Sequence, residues 1–235
     1  MTDATSATLN DLTGGDPIII LAPHPDDESL GCGGLIAACR ANGIAVHVVS
    51  MTDGAGSHPN SVQWADGRLA AQRRSEMLEA LKRLGCAPGD VTFLGHPDTQ
   101  LASVDQDLLR DQISALCDRV GARTIFAASA QDPHCDHEAT AAVAAALVAM
   151  RPDTRLWYYP VWSRWHDPQY RTAHQPAAAR VFDTQAWSDA KHRAVNAHAS
   201  QLGGIVKDDP TGFTLDRDFV RFFIIEPEIY FEGTP

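Results

Sequence analysis

Short runs of aliphatic residues, with no alternation of apolar and polar positions, mark the predicted strands of this sequence. The first extends from Pro17 to Ala22 and has Ile18-Ile19-Ile20-Leu21 at its centre. Continuous runs of this length are typical of strands that are buried on both faces of a parallel sheet. Three further runs predict strands at Ala45 to Met51, Val91 to Leu94 and Thr124 to Ser129.

Helical stretches separate these runs, and glycines follow several of them. They are predicted at Ser29 to Asn42, Gly67 to Leu84, Val104 to Val120 and Glu138 to Met150. A glycine just after a periodic stretch is a common stop signal for a helix. Strands that alternate with helices of this length form βαβ units, so the predicted fold class is α/β, with a mostly parallel sheet flanked by helices.

The pattern changes beyond Arg155. An aromatic strand is predicted at Leu156 to Trp162, an irregular stretch at Ser163 to Ala179, and a helix at Trp187 to Gln201. Phe219 to Phe231 predicts one or two closing strands. Because no segment is rich enough in Pro, Gly or Ser to act as a linker, residues 17–235 are expected to form a single domain.

The segment from Met1 to Asp16 is rich in Thr, Ala, Asp and Gly. It lacks the basic and apolar regions of a secretory signal, so it is expected to be a flexible N-terminal tail. No apolar run in the sequence approaches the ~20 residues that a membrane-spanning helix needs.

Composition narrows the expected partners and location. The formal net charge is −11, and the pI is about 5.2. An acidic surface repels nucleic-acid phosphates and anionic lipid heads, so neither is an expected partner. Five cysteines are scattered without a CxxC pair, which disfavours a disulfide framework and fits a reducing cytoplasm. The sequence leaves the oligomeric state open, including a homo-oligomer.

Residues suited to chemistry are concentrated where the first predicted strand ends. The segment Ala22-Pro23-His24-Pro25-Asp26-Asp27-Glu28-Ser29 places an imidazole and two adjacent aspartates within four residues. In open α/β sheets, ligands bind outside the carboxyl ends of the strands. Zinc accepts His nitrogen and carboxylate oxygen, and a catalytic site has about three such ligands plus an open position. One Asp could instead cap the following helix, but a His and a second Asp would then be surplus.

A second cluster follows the predicted strand that ends at Ser129. It reads Asp132-Pro133-His134-Cys135-Asp136-His137-Glu138 and opens another predicted helix. Because the carboxyl ends of parallel strands share one rim of the sheet, the two clusters are expected to meet. Together they offer enough ligands for one metal ion with an open coordination position.

Other cofactor motifs fit poorly. Gly31-Cys32-Gly33-Gly34 after a strand, with Asp53 ending the next one, suggests a dinucleotide fingerprint. However, Ile36 stands where the third glycine of GxGxxG would fall, and acidic residues stand where the pyrophosphate would bind. The sequence also contains no GxxxxGK[ST], GxSxG or HExxH motif.

The combined motifs resemble those of the PIG-L/LmbE-type N-acetyl-sugar deacetylases. The two clusters carry most of the resemblance. Supporting matches are Arg73-Arg74-Ser75-Glu76, Leu94-Gly95-His96-Pro97-Asp98, and Lys191 followed by His198-Ala199-Ser200-Gln201. The resemblance implies a Rossmann-like fold, a zinc ion, and hydrolysis of an N-acyl amino sugar such as an N-acetylglucosamine conjugate.

The resemblance implies that the zinc ligands are His24, Asp27 and His137. Asp26 would be the general base that takes a proton from the attacking water. Fe²⁺ stays open as an alternative metal, because a site of two His and one Asp also suits it in a reducing cell.

Four further roles are implied by the resemblance. His134 would stabilise the oxyanion or protonate the leaving amine, and Asp136 would orient His134 and hold it charged. Arg73 and Asp98 would bind sugar hydroxyls.

Aromatic residues around Trp157 to Trp165 are open to two interpretations. They could pack in the core, or Trp162 or Trp165 could provide a stacking surface for a sugar ring. The loop from Ser163 to Ala179 is long, and we expect it to shape substrate choice.

Two other functions stay open at this stage. The protein could be a zinc amidase acting on a non-sugar N-acyl small molecule or antibiotic. Such an amidase would have the same metal site, but the residues around its rim would differ. A non-catalytic metal-binding or sugar-binding module is the second alternative, although the presence of the base Asp26 gives it no support.

Overall fold

The computed structural model describes residues 5–166 and 179–233, and the strands in these residues form one eight-stranded sheet. They are β1 (Thr5–Ser6), β2 (Ile18–Ala22), β3 (Val46–Thr52), β4 (Val91–His96), β5 (Thr124–Ala128), β6 (Arg155–Tyr159), β7 (Arg180–Phe182) and β8 (Glu228–Gly233). Their order is β1-β7-β8-β6-β5-β2-β3-β4. Among these strands, every pairing is parallel except those of β8 with β6 and β7. The predicted mostly parallel α/β fold is confirmed.

Helices cover both faces of this sheet. They are α1 (Leu9–Thr13), α2 (Asp27–Ala41), α3 (Arg68–Arg83), α4 (Gln106–Val120), α5 (Cys135–Ala149), α6 (Trp162–His166), α7 (Ser188–Val195) and α8 (Arg217–Ile225). Buried residues of α2, α3, α7 and α8 share one core, and those of α4 and α5 share the other. The result is a three-layered, single-domain α/β fold.

Strand β2 contributes to both cores. Ile18 and Ile20 pack in the first core, while Ile19 and Leu21 pack in the second. All four side chains are fully buried, as expected for alternate residues of a strand that lies between two helical layers. This is why the run of four aliphatic residues shows no alternation.

The chain changes direction across the sheet between β2 and β5. It runs from β2 through β3 to the edge strand β4, and then returns to β5 on the other side of β2. Strands β2 and β5 pair in parallel, with Ile18 opposite Thr124 and Leu21 opposite Ala127. Their carboxyl ends therefore flank the crevice in which open α/β sheets bind ligands.

Glycines in α2 serve packing. A Cβ atom on Gly31 would lie 2.3 Å from the Tyr159 ring, and one on Gly34 would lie 2.4 Å from Thr184 Cγ2. These separations are too short for any side chain, so the glycines let neighbouring elements approach α2 closely. This accounts for the glycines that suggested a dinucleotide fingerprint.

The structure does not show a flexible tail over residues 5–16. Thr8 and Asp11 form a reciprocal capping box at the start of α1, and Leu12 is fully buried. The Leu12 carbonyl accepts the indole N–H of Trp157 at 3.0 Å. The missed signal was the capping box, which stabilises even a short helix. Met1 to Ala4 lie outside the described residues.

The prediction that Phe219 to Phe231 contains only strands was wrong. Residues Arg217–Ile225 form α8, and strand β8 begins at Glu228. Asp216 caps α8 by accepting the backbone N–H of Asp218 at 2.7 Å. The run of bulky residues resembled a strand, but its buried positions, Phe219, Val220 and Phe223, follow the spacing of a helix face.

Beyond Arg155, two element ends differ from the sequence prediction by several residues. Strand β6 ends at Tyr159, and Trp162 begins α6. Helix α7 ends at Val195, so Gln201 lies in the turns beyond it. Residues 167–178 of the predicted irregular stretch lie outside the described residues, so its influence on substrate choice stays a prediction.

Candidate active site

Two strand-to-helix turns meet above the carboxyl ends of β2 and β5. Residues 23–26 join β2 to α2, and residues 129–134 join β5 to α5. The rings of His24 and His134 lie edge to face with centroids 4.5 Å apart, and the His24 and His137 rings lie 5.4 Å apart. The two clusters in the sequence therefore form one site.

Asp27 lies between two of these histidines. Its Oδ2 atom is 3.2 Å from His24 Nδ1 and 3.3 Å from His137 Nε2. The same oxygen accepts the backbone N–H of His24 at 2.9 Å. All three side chains are buried, so one carboxylate oxygen and two ring nitrogens converge in a small, shielded volume.

Asp132 orients His137 from behind. His137 Nδ1 donates to Asp132 Oδ2 at 2.9 Å, which leaves the lone pair of Nε2 free in the neutral imidazole. Among the described residues, no hydrogen-bond partner reaches this buried Nε2 atom. Asp132 also accepts backbone N–H groups of Val161 and Ser163, each at 2.9 Å. Sequence reasoning gave Asp132 no role, although it stood in the same motif.

Asp26 occupies a strained backbone position at the start of α2. Its φ of 137° and ψ of −28° lie in a region that residues with a Cβ atom avoid, at a cost of about 1–3 kcal/mol. Its backbone N–H donates to Glu28 Oε2 at 3.0 Å. Burial raises the pKa of Asp26 to about 6, against the opposing effect of Arg73 and with a further rise from Asp27.

Arg73 is held by protein acceptors beside the cavity. Its Nη2 atom donates to Asp26 Oδ2 at 3.0 Å and to the Pro25 carbonyl at 2.6 Å. Arg73 also borders the cavity, and its predicted binding to sugar hydroxyls stays a prediction. Its Nη1 atom donates to the Gly54 carbonyl at 2.6 Å. Because the side chain is buried and both terminal nitrogens are engaged, Arg73 holds Asp26 in place.

Glu28 supports the same turn from the protein interior. Its Oε1 atom accepts the Ser29 hydroxyl at 2.6 Å and lies 3.2 Å from His198 Nε2. Glu28 and His198 are both buried. The sequence gave His198 no individual role, because its partner is far away along the chain.

The predicted pairing of Asp136 with His134 is contradicted. Asp136 Oδ2 lies 3.1 Å from His24 Nε2 and accepts the Thr99 N–H at 2.7 Å, while Oδ1 accepts the Leu101 N–H at 3.0 Å. His134 instead caps α5, since its Nδ1 accepts the backbone N–H of Asp136 at 3.2 Å. Residues two apart at a helix start point in different directions, so the Asp136 carboxylate orients His24.

His134 is also not held in the charged form that was expected. Its pKa is lowered by burial and by the neighbouring imidazoles of His24 and His137. Because Nδ1 accepts a hydrogen bond, the hydrogen of the neutral ring resides on Nε2. His134 therefore offers one N–H donor at the rim of the site.

Asp98 lies on the other side of His24 from Asp27. Its Oδ1 atom is 3.2 Å from His24 Nε2, and its Oδ2 atom accepts the Gly56 N–H at 2.9 Å. Asp98 was predicted to bind sugar hydroxyls. It does border the cavity, and it also helps Asp136 to fix the His24 ring.

A cavity of about 240 Å³ opens above this cluster. The predicted site residues that line it are His24, Asp26, Asp27, Arg73, Asp98 and His134. Six further residues complete the wall: Gly56, Ser57, Thr99, Trp162, Gln201 and Phe213. The volume suits one sugar-sized group.

The aromatic wall of the cavity contains Trp162, and Trp165 lies elsewhere. The Trp162 and Phe213 rings lie edge to face at 5.5 Å, and both residues border the cavity. Trp165 packs against Phe219 and Phe222, with centroids at 5.5 and 5.8 Å. Of the two predicted stacking residues, the structure places Trp162 at the cavity, whereas Trp165 is partly buried and packs against the core.

The site can hold a metal ion. Ring nitrogens of His24, His134 and His137 lie within 4.8 Å of one another. Since Nδ1 of His134 accepts a backbone N–H, the ring nitrogens available to a metal are those of His24 and His137. The Asp27 carboxylate lies among them at the distances given above. Nitrogen and carboxylate donors in a buried site are a ligand set that divalent transition metals accept.

Within residues 5–166 and 179–233, no helix has both the length and the apolar character that crossing a bilayer requires.

Comparison with known proteins defines the family. The family described as "PIG-L: GlcNAc-PI de-N-acetylase" matches residues 19–148, a range that contains both clusters of the site. The chain therefore belongs to the PIG-L family of deacetylases, and the resemblance drawn from the motifs is confirmed.

Individual relatives agree with this assignment. The chain is 29% identical over 195 residues to a probable N-acetyl-alpha-D-glucosaminyl L-malate deacetylase 2 of Bacillus subtilis, covering 81% of this chain and 86% of that protein. It is 26% identical to a 1D-myo-inositol 2-acetamido-2-deoxy-alpha-D-glucopyranoside deacetylase of Rhodococcus jostii, with 89% of each chain covered.

A solved structure shares the fold. N,N'-diacetylchitobiose deacetylase from Pyrococcus horikoshii superimposes with a TM-score of 0.68 over 92% of this chain and 83% of that one. At 22% sequence identity, this similarity concerns the fold alone.

Proposed function

We propose that this protein is a zinc-dependent hydrolase that removes an N-acetyl group from an amino sugar or sugar conjugate. The convergence of His24, Asp27 and His137 beside the strained Asp26 carries the proposal. The named activities of the relatives support an amino sugar as the substrate class. The scattered free cysteines, four of them buried, support a cytoplasmic location.

The residues present fit a zinc ion. Ligand atoms about 2.0–2.1 Å from zinc lie about 3.3–3.4 Å apart at the corners of a tetrahedron. The separations of Asp27 Oδ2 from His24 Nδ1 and His137 Nε2, 3.2 and 3.3 Å, match that spacing. The buried Nε2 atom of His137, which lacks a hydrogen-bond partner among the described residues, is the kind of lone pair that a metal satisfies.

We therefore assign His24, Asp27 and His137 as the zinc ligands. When bound there, zinc would polarise the acyl carbonyl and lower the pKa of water. Asp132 and Asp136 hold the two imidazoles through their other ring nitrogens, an arrangement that fixes the tautomer and ring orientation of metal-ligating histidines.

Two residues move or stabilise charge during the reaction. Asp26 accepts a proton from water while the water oxygen attacks the acyl carbon. Arg73 keeps the Asp26 carboxylate aimed into the cavity. His134 Nε2–H donates to the acyl oxygen, which becomes an oxyanion. When the C–N bond breaks, the amine takes up the proton that Asp26 accepted from water, and the products are acetate and the free amino sugar.

Metal analysis and a substrate comparison test this proposal together. The purified protein should contain about one zinc per chain and should release acetate from N-acetylglucosamine conjugates. Non-sugar acetamides of similar size should be poor substrates. Equal turnover of both classes would favour the non-sugar amidase, and zinc binding without turnover of any amide would favour a binding module.

A further inference from the structure

Gln201 borders the cavity and carries a buried hydrogen-bond acceptor that has no partner among the described residues. Its side chain is fully buried and borders the cavity. Its Oε1 atom is buried, and no hydrogen-bond donor from residues 5–166 or 179–233 reaches it. Since buried polar groups are almost always hydrogen-bonded in native proteins, an acceptor left open at a cavity points to a ligand as its partner.

The hydrogen-bond directions around Ser200 fix the orientation of the Gln201 amide. Ser200 Oγ donates to Glu76 Oε2 at 2.6 Å, and a carboxylate can only accept. The single hydroxyl hydrogen of Ser200 is thereby used, so Ser200 Oγ must accept from Gln201, which it meets at 3.2 Å. The Gln201 atom that faces Ser200 is therefore Nε2.

Ser57 engages the same amide nitrogen. Gln201 Nε2 also lies 3.2 Å from Ser57 Oγ, so its two hydrogens have two protein acceptors. Exchanging oxygen and nitrogen would place two acceptors face to face at Ser200. Neighbouring protein groups thus fix the amide nitrogen and leave Oε1 available.

We propose that Gln201 Oε1 accepts a hydrogen bond from a donor on the bound substrate and thereby selects substrates that carry this donor. The donor is a sugar hydroxyl or the amide N–H, which are the donors that an N-acetyl amino sugar offers. This assignment rests on the proposed function. A substrate without the donor leaves a buried acceptor unpaired, and such a mismatch discriminates more strongly than a change in apolar contact.

Kinetics of Gln201→Met and Gln201→Asn test the proposal against substrate analogues. Each analogue of the N-acetylglucosamine conjugate lacks one hydroxyl, and a further analogue carries an N-methyl amide. With the wild-type protein, one analogue should lose roughly 5- to 150-fold in kcat/KM, the usual cost of leaving one buried acceptor unpaired. Which analogue it is distinguishes a hydroxyl from the amide N–H.

The variants should abolish that preference. Gln201→Met should turn over the parent substrate as poorly as the wild type turns over the critical analogue, mainly through a higher KM, and should no longer distinguish the two. Gln201→Asn, which withdraws the oxygen by one methylene group, should weaken the preference and guards against misfolding of the Met variant. The control Gln72→Met removes a 2.9 Å hydrogen bond to the same Glu76 away from the cavity, and should leave the preference intact.

Two results overturn the proposal in different ways. Unchanged discrimination in a folded Gln201→Met or Gln201→Asn protein would overturn the role of Gln201 and leave the proposed function standing. If the zinc-loaded wild-type protein neither binds the parent conjugate in calorimetry nor hydrolyses it, the proposed function fails, and the role of Gln201 fails with it.

Discussion

The Arg73 guanidinium contacts the Asp26 carboxylate at 3.0 Å and also binds the carbonyl groups of Pro25 and Gly54. One buried cation therefore holds both the strained turn and the side chain that we propose as the base. Burial alone would leave the Asp26 carboxylate more basic and less well aimed.

Replacing Arg73 should shift the acid limb of the pH profile. Asp26 must be deprotonated to accept a proton, so kcat/KM should fall as the pH drops through the Asp26 pKa of about 6. Arg73 lowers this pKa, so Arg73→Met should move the acid limb to higher pH and reduce kcat/KM at neutral pH by about 10-fold or more. Arg74→Met is the control, because Arg74 stacks on Phe93. An acid limb that stays in place would refute the positioning role.

Asp136→Asn should weaken metal binding. The Asp136 carboxylate meets His24, and loss of such a partner typically lowers metal affinity by about 10–100-fold. Competition with a chelator measures that affinity. If the variant kept wild-type affinity but lost turnover, the original interpretation, in which Asp136 acts on His134, would be restored.

Asp132→Asn should also lower metal affinity, by about 10–100-fold, because Asp132 fixes the tautomer of His137. Asp118→Asn makes a matched control, since Asp118 pairs with Arg151 at the surface. The same chelator competition serves for both variants. Wild-type affinity in Asp132→Asn would show that the hydrogen bond at His137 Nδ1 does not tune the site.

Trp162→Ala and Trp165→Ala should affect different properties of the protein, substrate binding and stability. Trp162 borders the cavity, so its loss should raise KM for the sugar several-fold while zinc stays bound. Trp165 packs against α8, so its loss should lower the free energy of unfolding by about 1–3 kcal/mol and leave KM unchanged. Denaturant titration and steady-state kinetics separate the two effects, and a raised KM in Trp165→Ala alone would reverse the assignment.

The features of the fold and the site that depend on local sequence patterns could be predicted. The aliphatic run at Ile18 to Leu21 and the two clusters at strand ends were enough to predict a parallel sheet and a metal site on one rim. The reason is that the geometry of βα turns brings the residues after parallel strands together. These features needed no knowledge of contacts between distant segments.

The sequence could not predict the directions in which side chains point or the contacts between residues far apart along the chain. The separation of two residues between His134 and Asp136 suggested a pair, but the helix turns the two side chains apart. Gln201 and Ser57 are joined only through tertiary contacts. In α8, a capping Asp216 and one buried face outweighed a composition typical of strands.

The most direct test of the account compares zinc content and turnover in Asp26→Asn. Asn keeps the size of the side chain but cannot accept a proton from water. If Asp26 is the base, about one zinc per chain should be retained and kcat should fall by about 10²–10⁴-fold. Wild-type turnover with zinc bound would contradict the role of Asp26 as the base, and with it the division of work between the two adjacent aspartates.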